Sequence, residues 1–424
     1  MKRNMVKLCS PGWNERTRRA LEKLIQRGAG QGLPVVFDFD NTIIRGDIGE
    51  ATLAVLVRDG TLSAARLPQT LSPSFRLPDG RRITLKSATD LAAYYEAYLS
   101  PTIHGERDPT PLANGYAWAV EVMEGLRPAD VVAATRRSRQ FAAPVGPGFI
   151  EVTPGKTGFP VPTFYPELVE LIAALVCEKF DIWIVSASNV WTVRWMVLHE
   201  LNPRLREHGV RQGLRADHVV GVSTLLTDRR GGLHKDALLV KEDARYAALD
   251  EKALRRFRLT SRVQFPVPTY SGKIACICDV IGNRPYLCAG DSPGDHPMLA
   301  FSENRLWIAR LEKPAFQMLT AKLIARTGAA GWLVQPTLVK TAPGFVADLG
   351  SLPQRLGDVP RDIRTAARIV AAINACRKGK AGVTYSFSIR RPIEALASFH
   401  NKDTASRLTA RASRGIKPLP GVCP

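Results

Sequence analysis

The sequence predicts an α/β protein: a Rossmann-like parallel sheet core with a helical cap inserted after the first strand and an extra C-terminal segment. Three observations carry this. The apolar run Val35, Val36, Phe37 has the unbroken hydrophobicity of a strand buried on both faces, and it ends in two carboxylates, Asp38 and Asp40. From Tyr165 to about residue 336, helical and strand patterns alternate, as a parallel sheet requires. Residues 46–159 break that alternation with helical patterning, which marks them as an insertion.

Taken in order, residues 13–27 place Leu21, Leu24 and Ile25 at helical spacing, and the glycines from Gly28 to Gly32 end that helix before the first strand. Within the insertion, SATDLAAYYEAYL and GYAWAVEVMEGL are the clearest helices, separated by proline and glycine runs over 67–80 and 144–158. A helix YPELVELIAALVCEKF, a strand DIWIVSAS and a helix over 189–200 follow. The strand HVVGVST then opens an irregular stretch, 225–272, with a turn at Arg229 to Gly232 that suits a hairpin or a small second insertion. GKIACICDVIG reads as a helix, PYLCAGDS and RLWIARL as strands, PAFQMLTAKLIART as a helix and GWLVQP as the closing strand. The expected divisions are an N-terminal helix (1–32), a core (33–45 and 160–336), a cap (46–159) and a basic C-terminal segment (337–424). The last holds an amphipathic helix over 362–376 and a strand over 383–389.

Composition narrows the class. At 424 residues, 45% hydrophobic and 23% charged, the chain is too apolar for general disorder and long enough for a large core. No apolar stretch of about 20 residues suggests a membrane span, and the N-terminus lacks the apolar run of a secretory signal, so a cytoplasmic protein is expected. Seven cysteines without zinc spacing read as reduced thiols, with Cys276, Cys278 and Cys288 expected to be buried. The net charge of +20 raises anionic partners, but it is concentrated at the ends. Residues 1–30 carry eight Lys/Arg against two acids, and residues 340–424 fifteen against five. Without a basic stripe interleaved with aromatics, this distribution disfavours nucleic acid as the main partner.

Two carboxylates at the end of a buried strand need a cation, and in open α/β sheets chemistry gathers beyond the carboxyl ends of strands. The chain supplies companions in order: Thr42 in DFDNT, Ser186 after IWIV, Lys273 at the start of a helix, and Asp291 and Asp295 in GDSPGD. Together these motifs resemble the haloacid dehalogenase superfamily of phosphohydrolases over roughly residues 33–336, and its phosphoserine phosphatase-like branch in particular. The phrasing FYPELVELIAAL with DIWIVSAS, GK and GDSPGD is similar to bacterial phosphocholine phosphatases.

The resemblance implies a phosphomonoesterase in which Asp38 attacks phosphorus and Asp40 serves as general acid and then base. It implies Mg²⁺ on Asp38, the Asp40 backbone carbonyl and Asp291, with Asp295 in direct or indirect contact. Ser186, Thr42 and Lys273 would hold the phosphate. Such chemistry suits a phosphate dianion, whose repulsion of a carboxylate nucleophile must be neutralised by cations. In that branch an acid nine residues after the nucleophile meets a substrate amine; here it is Asp47, which also suits a helix N-cap. Tyr94, Tyr95, Tyr98, Tyr116 and Trp118 offer an aromatic enclosure for that amine, with Tyr94 and Tyr98 on one helical face. The expected partner is a small phosphorylated metabolite. The alternatives are phosphoserine phosphatase itself, a phosphotransferase using the same intermediate, and a silent scaffold binding an anionic partner or nucleic acid.

Overall fold

The computed structural model describes residues 6–68, 71, 75–76, 82–99, 115–143 and 148–376. Helix α1 (Glu15–Gly28) is capped by Asn14, whose side chain accepts from the Thr17 amide, and buries Leu21, Leu24 and Ile25. It leads into strand β1 (Pro34–Phe37), as the apolar run predicts. The next long helix, α2 (Ile48–Arg58), opens the insertion; a short helix Leu91–Tyr94, a wider turn Tyr95–Leu99, α3 (Gly115–Glu121) and α4 (Pro128–Arg139) follow.

The insertion also contains a hairpin, β2 (Phe149–Thr153) and β3 (Thr157–Pro160), where the sequence suggested only a break. Glycines and prolines at 144–158 mark turns well, but they hide strands this short and irregular.

The core resumes with α5 (Pro166–Cys177), β4 (Asp181–Asn189), α6 (Val190–Trp195) and β5 (Val219–Val222). Strands β6 (Thr224–Thr227), β7 (Leu233–His234) and β8 (Arg258–Val263) form a separate three-stranded sheet, which resolves the irregular stretch as a hairpin joined by a later strand. Then come α7 (Ser271–Val280), β9 (Leu287–Gly290), α8 (His296–Phe301), β10 (Asn304–Arg310), α9 (Pro314–Thr327), β11 (Trp332–Leu338), β12 (Gly344–Phe345) and α10 (Arg361–Cys376).

Among the described residues the central sheet has seven strands in the order β12-β11-β10-β9-β1-β4-β5. All neighbours are parallel except β11 and β12. Strand β1 lies between β9 and β4, so its carboxyl end is flanked by the ends of the two strands that carry the other motif residues.

Two adjustments to the sequence reading concern the end of the core and the thiols. The sequence reading closes the core with GWLVQP near residue 336, yet β11 continues through Leu338, and the Pro336 carbonyl accepts from the Val346 amide. Helix α10 buries Ile363, Ala366, Val370 and Ile373 in the same apolar cluster as α9, so ordered packing extends past residue 336. Cys276 and Cys288 are buried, but Cys278 is exposed, because Cys276 lies on the face of α7 that packs in the apolar cluster and Cys288 lies within strand β9, while Cys278 is on the outer face of α7. The expected strand over 383–389 lies outside the described residues. No helix among the described residues is long and apolar enough to cross a membrane.

Three buried hydroxyls tie the insertion to the core. Thr135 of α4 lies 3.1 Å from Thr52 of α2 and 2.9 Å from Thr192 of α6. Each hydroxyl has a partner where water is excluded, so the cluster fixes α2 and α6 against a common helix.

Candidate active site

Asp38 follows β1 directly, and its amide still bonds to the carbonyl of Ala289 on β9. The chain then turns sharply, with Asn41 in the left-handed region at φ 56°, a conformation Asn tolerates. That turn brings Thr42 back beneath Asp38. Its hydroxyl lies 2.9 Å from Asp38 Oδ2 and 3.2 Å from Asp291 Oδ1, bridging the two carboxylates.

Lys273, in the first turn of α7, is 2% exposed and points its Nζ between Asp38 Oδ1 at 2.6 Å and Asp295 Oδ1 at 2.7 Å. Asp295 Oδ2 is held from the other side by the amides of Asp291 and Ser292 and by the Ser292 hydroxyl. Gly290 leaves room for that loop: a Cβ there would stand 2.5 Å from Asp295 Cβ.

Oxygens of Asp38, Asp291 and Asp295 lie within 4.8 Å of one another, all three residues buried. Burial, aided by Asp295, pushes Asp38 up to about 7 against the pull of Lys273. Burial pushes Asp291 up to about 8 against Arg310. Asp295 goes the other way: burial opposes its charge, but Lys273 and the loop amides outweigh it and hold the carboxyl below its usual range. Even with Lys273 between Asp38 and Asp295 and Arg310 2.7 Å from Asp291, three ionised carboxylates leave an excess of negative charge. The donors are all hard oxygens, and Asp291 Oδ2 is buried without an aligned hydrogen bond. This set fits a small divalent cation such as Mg²⁺.

Asp40 lies in a second cluster beside the first. Its Oδ1 accepts from the Ile48 amide at 2.7 Å, and its Oδ2 from Ser188 Oγ at 2.7 Å and Ser186 Oγ at 3.3 Å. Burial, with Asp47 nearby, raises its acid well above the ordinary carboxylate range. Burial thus favours the protonated form of this carboxyl, the form that can give up a proton.

Both clusters open into one cavity of about 310 Å³, lined by Asp38, Asp40, Lys273, Asp291 and Asp295 at its floor. Asp47 lines the cavity and caps α2, accepting from the Glu50 amide at 2.8 Å, which is the N-cap role the sequence offered. Ser186 is fully buried behind Asp40, and Ser188, two residues on, is the serine that reaches the cavity. Thr42 is likewise fully buried, turned toward carboxylates and not toward open space.

Tyr94 is fully buried against Trp118, with ring centroids 5.7 Å apart; it is a packing residue and lies off the cavity wall. The neighbouring Tyr95, with Tyr116, faces the cavity instead. The side chain of Tyr98 lies outside what the structure describes. Sequence reasoning missed Glu50, Tyr270, Arg310, Lys313 and Lys340, all of which line the cavity. Only Glu50 had a local signal, one helical turn from Asp47.

No family model matches the chain. The phosphorylcholine phosphatase of Pseudomonas aeruginosa is 27% identical over 310 residues, covering 71% of this chain and 81% of that protein. A solved protein of unknown function from Anaerococcus prevotii superposes with a TM-score of 0.52 at 18% identity, over 82% of this chain and 98% of the other, a likeness of fold. A substrate-bound phosphoserine phosphatase aligns at 11% identity and a TM-score of 0.33, over 65% of this chain and 85% of the other.

Proposed function

We propose that this chain, a phosphatase of the haloacid dehalogenase type, hydrolyses a small amine-bearing phosphomonoester through an aspartyl-phosphate on Asp38. The observation that carries the reading is the position of Lys273, buried between Asp38 and Asp295 at the floor of an accessible cavity. A buried ammonium there neutralises charge where a phosphate dianion must meet a carboxylate.

In the first step a carboxylate oxygen of Asp38 attacks phosphorus and the bond from phosphorus to the ester oxygen breaks. Asp40, whose protonated form burial favours, gives its proton to the departing alkoxide. In the second step Asp40 takes a proton from water as that water attacks phosphorus, which releases inorganic phosphate and restores Asp38. Thr42 holds Asp38 in place by its hydroxyl. Ser188 is better placed than Ser186 to meet a phosphate oxygen, because both hydroxyls donate to Asp40 but only Ser188 lines the cavity, Ser186 being fully buried. Asp38, Asp291, Asp295 and the Asp40 carbonyl would hold Mg²⁺, which when bound supplies neutralisation of the phosphoryl oxygens.

The insertion serves as a cap over the site. From it come Asp47, Glu50, Tyr95 and Tyr116, an acidic and aromatic wall suited to a cationic amine. The relative's name, phosphorylcholine phosphatase, supports that class of substrate. Phosphate release from a panel of phosphomonoesters, with and without Mg²⁺ and with Asp38→Asn beside wild type, tests the reading. Release needing both Mg²⁺ and Asp38, with amine-bearing esters preferred, is the expected result. Release that survives Asp38→Asn would overturn it.

A further inference from the structure

The loop before α7 carries a tyrosine where the backbone calls for glycine. The Gly272 amide donates to the Thr269 carbonyl at 2.8 Å, which closes a four-residue turn over 269–272. Tyr270, the first central residue of that turn, has φ 48° and ψ −123°. These angles match the first central position of a type II′ turn, about +60° and −120°, which glycine dominates. A bulky side chain at positive φ is an outlier.

The neighbouring backbone holds Tyr270 there. The Thr269 amide donates to the Val267 carbonyl at 2.7 Å, and a Cβ on Gly272 would stand 1.8 Å from that same oxygen. The Tyr270 carbonyl accepts from the Lys273 amide at 3.1 Å, so the strained residue leads directly into the helix that carries the buried lysine. Strain of this kind persists where the surroundings over-determine it, and it gathers at ligand-binding sites. Glycine at 270 would make the same turn without strain, so what tyrosine adds is its ring.

That ring is on the cavity wall. Among the described residues five non-glycine residues have positive φ, and of these Asn41 and Tyr270 line the cavity. Tyr270, 38% exposed, reaches it from the core, whereas Tyr116 reaches it from α3 of the insertion. Burial, with Asp295 nearby, raises the Tyr270 phenol to about 12. Burial raises the Tyr116 phenol well above its usual value, and Tyr95, Tyr270, Asp47 and Asp295 add to the effect. The two phenols therefore lie within electrostatic reach of one another and of Asp295 at the floor.

We propose that Tyr270 is a specificity-determining residue: its ring and that of Tyr116 stand on either side of the leaving group and set the width of the alcohol that can approach Asp38. This rests on the phosphatase reading above and deepens it, and it concerns the width of the alcohol whatever its charge. A tyrosine ring is flat, stiff and set by two side-chain torsions. With the turn fixing its backbone, it makes a rigid jaw.

Ethyl phosphate and benzyl phosphate test the clasp, because both have uncharged alkyl alcohols and differ in width. Taking the benzyl-to-ethyl ratio of kcat/KM in each variant relative to wild type cancels the chemistry of the two leaving groups. Tyr270→Gly and Tyr270→Ala should each raise that ratio roughly tenfold, the low end of what one apolar group in a pocket discriminates. Tyr116→Ala should move it in the same direction, and Tyr270→Phe should keep it. Urea denaturation reads the strain separately: the glycine variant should unfold at a higher midpoint than the alanine variant, because both lack the ring and only glycine relieves the turn. Ratios within about twofold of wild type in the glycine and alanine variants, or a ratio indifferent to Tyr116→Ala, would overturn the clasp. An alanine variant at least as stable as the glycine one would overturn its premise. The same substitutions added to Asp38→Asn give the ratio as affinities by calorimetry in the presence of Mg²⁺. Those affinities decide the clasp even if wild type turns over no ester, which would be a failure of the phosphatase reading alone; binding of neither ester would overturn the clasp.

Discussion

Lys273→Met removes the ammonium that lies 2.6 Å from Asp38 and 2.7 Å from Asp295 while leaving both carboxylates in place. At an effective dielectric of about 20, each contact is worth roughly 6 kcal/mol before desolvation is subtracted. Deleting one partner of a buried pair costs about 3–5 kcal/mol net, because the surviving charge is stranded. In a chelator the variant should therefore lose about 3–5 kcal/mol of unfolding free energy in a urea titration. Turnover should drop about 10²- to 10³-fold, the usual loss when one aimed electrostatic stabiliser is removed. An ion at about 100 times its Kd stabilises the folded state by about 2.7 kcal/mol, so added Mg²⁺ should recover part of the stability. The recovery should be larger in the variant than in wild type, where the ammonium competes for Asp38 and Asp295. A variant within about 1 kcal/mol and about threefold of wild type on the two assays would refute this account of Lys273.

Three further outcomes are expected. Arg194 and Asp236 form a pair with side-chain exposures of 2% and 3%, joined by Tyr246, whose hydroxyl donates to Asp236 at 2.8 Å. Asp236→Ala should cost about 3–5 kcal/mol in chemical denaturation by stranding the guanidinium, and a loss below about 1 kcal/mol would show that water reaches the site. Gly290→Ala places a methyl 2.5 Å from Asp295 Cβ, so turnover and Mg²⁺ affinity should both fall while the fold survives with about 1–3 kcal/mol less stability; unchanged Mg²⁺ affinity would mean that Asp295 takes no part in the ion site. Burial raises Asp47 up to about 8 and Glu50 up to about 7, whereas unfolded carboxyls ionise near pH ~4. Between roughly pH 4 and 8 the native state keeps protons that the unfolded state has lost, so stability of the ligand-free protein should fall as pH rises through that window. Asp47→Asn should flatten the slope, and a midpoint that rises toward pH ~8 would contradict the sign.

The parts of the site that the sequence exposed are those fixed by local rules. Asp38 and Asp40 close an apolar strand, Lys273 opens a helix, and Asp291 and Asp295 sit in a glycine-rich turn after another strand, so their convergence follows from α/β topology alone. Side-chain direction was not legible at that level. Tyr94 and Tyr95 differ by one helical step, and whichever faces the cavity depends on how Trp118 packs between them and on the wider turn at Tyr95–Leu99. Ser186 and Ser188 both leave β4 on one face, and only the packing of Asp40 shows which is covered. Arg310, Lys313 and Lys340 carry no motif, since a charge after a strand is ordinarily solvated; what gathers them is the pairing of β10 with β11. The hairpin at 149–160 and the packing of α10 are long-range outcomes of the same kind.

The central claim is a covalent phosphoryl group on Asp38. Mixing wild type with a ³²P-labelled ester and Mg²⁺, quenching in acid within the first turnover and mapping the labelled peptide tests it most directly. The account predicts label on the peptide containing Asp38, discharged by hydroxylamine and absent from Asp38→Asn. Phosphate released in that first turnover with no label on the protein, or label on a different residue, would contradict it.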